Sequence, residues 1–74
     1  MRLEQSILRE ISEEERKSLV GKRVKDYSSL NLGIAEIKEI KDNKKSYEVT
    51  VSASKGCGEY TFLEEFTQDL DVVD

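Results

Sequence analysis

The chain changes its hydrophobic rhythm once, at a glycine, and that change limits what it can fold into. Before Gly21, the residues Leu3, Ile7, Leu8 and Ile11 recur at three- and four-residue spacings, and Leu19 continues them. That is the spacing of one apolar stripe along a helix. Beyond it, Leu19-Val20-Gly21-Lys22-Arg23-Val24-Lys25-Asp26 resumes as Leu32-Gly33-Ile34-Ala35-Glu36-Ile37-Lys38-Glu39-Ile40. Here β-branched residues are interleaved with charges, and glycines stand where turns are needed. Tyr47, Val49 and Val51 then alternate with Glu48, Thr50 and Ser52, the two-residue period of a strand with one buried face. A helical front joined to strands of this kind implies a mainly β fold, a small five-stranded barrel with an N-terminal α-helical extension.

The expected division is a helix or helix pair over 1–19 and a barrel over 20–74, folding as one unit. Ser12-Glu13-Glu14-Glu15 reads as a capping box, with acidic residues at the positive end of a helix. Two helices, about 3–11 and 13–19, bent at Ser12, follow from it; one continuous helix is the alternative. Gly21 then serves as the C-terminal cap. A first strand around Val24 ends near Tyr27, and Ser28-Ser29-Leu30-Asn31 is a loop. Residues 34–40 conflict internally, because good helix formers surround isoleucines spaced by three. Strand is preferred: the Tyr47–Val51 arm needs a partner, and a β-bulge would let both Ile37 and Ile40 face inward. Polar turns follow over 41–45 and 54–58. A strand from Glu59, a helical turn at Leu63-Glu64-Glu65-Phe66 and a closing strand over Leu70–Val73 complete the count.

Size bounds the chemistry. With 74 residues the chain is one domain, which buries about 60% of its unfolded surface. One cysteine and no histidine exclude an internal disulfide and argue against a zinc site, and no cofactor is expected. No apolar run approaches the roughly 20 residues of a membrane helix, and the N-terminus has no secretory pattern. A cytoplasmic protein without membrane contact is the expectation. With no histidine, no phosphate-cradling loop and no nucleophile pair, an enzyme is not expected.

The run from Leu19 to Ile40 resembles the PRC-barrel domains, the family that includes the C-terminal domain of a ribosome maturation factor. The matching residues are Leu19, Gly21, Val24, Asp26, Leu32, Gly33, Ile37 and Ile40. The later part, Tyr47–Val51 and Tyr60–Leu63 with Leu70–Val73, is similar to SH3-like and Tudor-like barrels, in which a one-turn helix and a short Leu/Val strand close the sheet. The resemblance covers about 19–74 and implies a binding or assembly role, as an adaptor for another protein. It does not choose among the functions such barrels carry. A methyl-reading aromatic cage is not expected, because alternation puts several of Tyr27, Tyr47, Tyr60, Phe62 and Phe66 in the core.

Charge supplies the remaining candidates. The net charge is only −4, but it is unevenly spread, with six acidic and no basic residues over 56–74. Leu3, Ile7, Leu8 and Ile11 would either cover the barrel or meet a partner or a second copy. Lys22, Arg23 and Lys25, with Lys41, Lys44 and Lys45, are candidate phosphate contacts for a nucleic-acid- or ribosome-associated role, or edge lysines that deter aggregation. Glu59, Glu64, Glu65, Asp69, Asp71 and Asp74 would form the false backbone of an acidic, nucleic-acid-mimicking inhibitor. Cys57, between Gly56 and Gly58, has no base beside it and reads as structural or incidental.

Overall fold

The front of the chain is divided by its caps. In the computed structural model, which describes residues 1–53 and 58–74, helix α1 spans Gln5–Glu10 and α2 spans Glu13–Leu19. Ser12 separates them, its Oγ accepting the Glu15 N–H at 3.1 Å, so Ser12 caps α2 as expected and the bent pair forms. Arg16 on α2 reaches back and donates to the carbonyls of Leu8 and Ile11, both at 2.6 Å, satisfying the end of α1.

Helix α1 begins later than its apolar stripe does. Met1 to Leu3 are extended, and Arg2 makes an antiparallel bridge to Asp71. The Leu3 N–H donates to Leu70 O at 2.9 Å and the Val72 N–H to Met1 O at 2.8 Å. Residues expected in a helix therefore cover a sheet edge, because the backbone of these three residues cannot be paired both ways.

Five strands follow: β1 (Arg23–Asp26), β2 (Gly33–Asp42), β3 (Tyr47–Ala53), β4 (Glu59–Phe62) and β5 (Leu70–Val72). All neighbours are antiparallel, in the order β4-β3-β2-β1-β5. Gly21, at φ +97°, turns α2 into β1, and its amide donates to Ile37 O at 2.8 Å. Residues 34–40 are strand, with the expected bulge: the register steps from Ile37↔Val51 to Glu39↔Thr50. The extra residue, Lys38, resets the phase, so Ile37 is buried and Ile40 packs against the core from the same side. Pairing to β1 and β3 overrides the helical propensity there.

The sheet is mainly β, as expected, but it is not closed into a barrel: β4 and β5 are its two edges and share no ladder. A six-residue 3₁₀ helix, Glu64–Asp69, joins them. The core gathers Leu3, Leu8 and Leu19 from the front with Val24, Ala35, Ile37, Val49, Val51, Phe62 and Leu70 from the sheet. Among the described residues, no helix is long and apolar enough to cross a membrane.

Candidate functional site

Two segments that are irregular in sequence meet at one end of the sheet and form a groove. The first is the β1–β2 loop, which Asp26 holds in shape. Its carboxylate is only 3% exposed and accepts the N–H of Ser28 at 2.7 Å and of Leu32 at 2.9 Å. Burial opposes its ionised form, but hydrogen bonds from Ser28 and Leu32 outweigh that and hold the carboxyl below its usual range. Ser28 Oγ accepts the Leu30 N–H at 3.2 Å, and Asn31, at φ +50°, turns the chain back toward β2. The loop so built holds Leu30 outward, 56% exposed.

The second segment is the 3₁₀ helix. Glu64 enters it at φ +50°, and the Phe66 N–H donates to Leu63 O at 3.0 Å. Thr67 is fully buried, its Oγ1 within 2.7 Å of Leu3 O. Gln5 of α1 fastens the same turn: its Nε2 lies 2.8–2.9 Å from Glu64 O, Thr67 Oγ1 and Tyr47 O, and its Oε1 accepts the Tyr47 N–H at 2.8 Å. With Thr67 anchored inside, Phe66 is directed out, 59% exposed, beside Leu63 at 47%. The Tyr27 N–H, donating to Asp69 O at 2.8 Å, ties the two segments together.

Between them lies a concavity of about 390 Å³, lined by Leu30, Leu63 and Phe66 with Phe62, Ser28 and Glu64 among its walls. Large apolar side chains scattered singly over a surface need no explanation, but here three of them surround one groove. The one charge in its lining is Glu64, and among the described residues no basic side chain lines it.

Of the site residues singled out by sequence, only Glu64 lines this groove. Leu3 and Leu8 are core, and Ile7 and Ile11 are half-buried with Ile11 packed on the core, so the helix stripe covers the sheet from inside. The two basic groups are not brought together. Lys22 faces Ile37 on β2, whereas Lys41 stands about 13 Å further along that strand at about 3.3 Å per residue. Lys44 and Lys45 lie on the hairpin turn beyond it, where Lys44 has φ +68°. Arg23 is engaged by Asp74, which takes its N–H at 2.8 Å and its guanidinium at 2.7 Å; this raises the arginine pKa and lowers the aspartate's. Lys25 sits over the Tyr27 ring at 5.1 Å, and Arg2 is also over that ring, at 4.5 Å.

Nor do the acidic residues make one surface. Asp71 accepts the Met1 ammonium at 2.8 Å, which lowers its pKa. Glu59 lies on β4 and Glu64, Glu65 and Asp69 on the 3₁₀ helix. Several of the five aromatics are inside, as expected: Phe62 is core and Tyr47 and Tyr60 pack against it, while Tyr27 and Phe66 are exposed. Cys57 lies outside the described residues. The groove itself was missed; its signal was Leu30, an apolar residue in an otherwise polar loop.

A second hollow, between α2 and the β2–β3 hairpin, is lined by Glu13, Arg16, Lys17, Val20, Ile40 and Tyr47. Its Arg16 is committed to the end of α1 and stacked on Tyr47 at 4.7 Å. Comparison with known protein families, curated proteins and solved structures finds no match.

Proposed function

We propose that the chain is a non-catalytic protein-binding module that captures a short segment of another polypeptide in the groove between the β1–β2 loop and the 3₁₀ helix. The observation that carries this is the exposure of Leu30, Leu63 and Phe66 around one concavity whose walls are held by the hydrogen bonds of Asp26, Gln5 and Thr67. A rigid apolar groove is where a binding module gains affinity, since little ordering is left to do on association. Glu64 in the lining and Glu65 next to it favour a segment that sets an apolar anchor beside a lysine or arginine.

The sheet order and the 3₁₀ helix between β4 and β5 also support kinship with SH3-like and PRC-like domains, whose roles are in binding and assembly. Phosphate recognition is the weaker reading, because the two basic groups stand apart and Arg23 is engaged by Asp74.

The test is selection of ligands from a library of short random peptides, repeated with Leu30→Ser and Phe66→Ser. The expected result is a set of peptides with an apolar anchor next to a basic residue, whose binding falls about tenfold or more in either variant. Selected peptides indifferent to both substitutions would overturn the assignment of the groove.

A further inference from the structure

The two edges of the sheet are treated differently. The outer edge of β5 is occupied by Met1–Leu3, through the Arg2–Asp71 bridge and two backbone hydrogen bonds. The outer edge of β4 has no such cover: Glu59–Phe62 pair with β3 on one side, and among the described residues nothing hydrogen-bonds to the other. An uncovered edge is a template for another strand, and proteins usually blunt one with lysine, proline or a bulge. β4 has no lysine, proline or bulge; its only protection is its four-residue length and the charge of Glu59. The edge also runs into the groove, since Thr61 and Phe62 contribute to its lining along with Leu63.

Resting on the groove reading, we propose that the partner segment binds as an added strand on β4. Its main chain pairs with Glu59–Phe62, and its apolar anchor enters between Leu30 and Phe66. Main-chain pairing gives such a segment affinity and the pocket at its end gives specificity. The occupant is a basic, extended stretch of a different polypeptide. Glu64 lines the groove, and from Glu59 to Glu65 the sequence carries three acidic residues and no basic one. A second copy paired on the same edge would set those acids against its own, so charge favours a foreign, basic strand.

The test uses the full chain and the peptides selected above, each resynthesised in two forms, N-methylated at alternate residues in opposite phases. Successive residues of a strand direct their N–H groups to opposite sides, so in strand addition only one phase blocks pairing. The expected result is that one form loses binding about tenfold or more while the other keeps it, and that the peptide slows amide exchange within Glu59–Phe62. If both forms bind like the parent and β4 exchange is unchanged, while Leu30→Ser or Phe66→Ser still abolishes binding, strand addition is overturned and the groove reading stands. If no selected peptide depends on Leu30 or Phe66, both fall. A concentration-dependent dimer whose contact protects β4 would instead assign the edge to a second copy.

Discussion

Neighbouring residues of one 3₁₀ helix have opposite fates. Thr67, polar, is fully buried, whereas Phe66, aromatic, is the most exposed large apolar residue described. Ordinary partitioning would reverse them. Thr67 tolerates burial because its hydroxyl meets Leu3 O and the Gln5 amide, so no hydrogen-bonding capacity is stranded. Phe66 has no such compensation, and the folded chain alone gives no return for holding it in water. The inner side of this helix is held by hydrogen bonds, and the outer side leaves an aromatic ring in water, which is the contrast the proposed groove rests on.

Substitutions should separate the two sides, beginning with the greatest loss of stability. Leu8→Ala in the core should cost about 2–5 kcal/mol, a large share of what a domain this size holds, read by chemical denaturation. A loss below 1 kcal/mol would return the helix stripe to the list of interfaces. Gln5→Ala removes the clamp on Tyr47, Glu64 and Thr67 and should cost roughly 1–3 kcal/mol, with faster amide exchange across the 3₁₀ helix. Asp26→Ala should cost a similar roughly 1–3 kcal/mol and weaken peptide binding as well, because the loop carrying Leu30 loses its internal acceptor.

The acid response comes next. Asp26, Asp71 and Asp74 all have folded pKa values below the ordinary 3.8. A depressed carboxylate stabilises the fold above its unfolded pKa, and that contribution disappears as pH falls through the folded value. The melting temperature should therefore be flat above about pH 5 and fall below pH 4, with a shallower fall in Asp26→Asn. Smallest of all, Phe66→Ser should change stability by no more than about 0.5 kcal/mol while removing most peptide binding. A large destabilisation there would make Phe66 a structural residue and end the contrast.

Much of the fold was legible because its signals are local. The Ser12 cap, the Gly21 turn and the alternation of β3 each depend on a few adjacent residues. The bulge in β2 was legible for another reason: isoleucines spaced by three satisfy a one-sided strand only if one residue is added. Other features had no local signature. Leu3 looks helical because it keeps the spacing of Ile7 and Leu8, yet an uncovered β5 edge competes for its backbone and wins. Which of the five aromatics would be core was not legible either: Phe66 is left outside because the hydrogen-bonded Thr67 holds the inward position.

The amino-acid order thus settled the class of fold, the helix caps, the main strands and the absence of a histidine, since composition and short-range spacing suffice for these. Tertiary structure alone decided that the sheet stays open, that one edge is covered and the other is not, and that Leu30, Leu63 and Phe66 meet. Those outcomes join residues more than thirty positions apart, and which surface is left over depends on how every other surface has been packed.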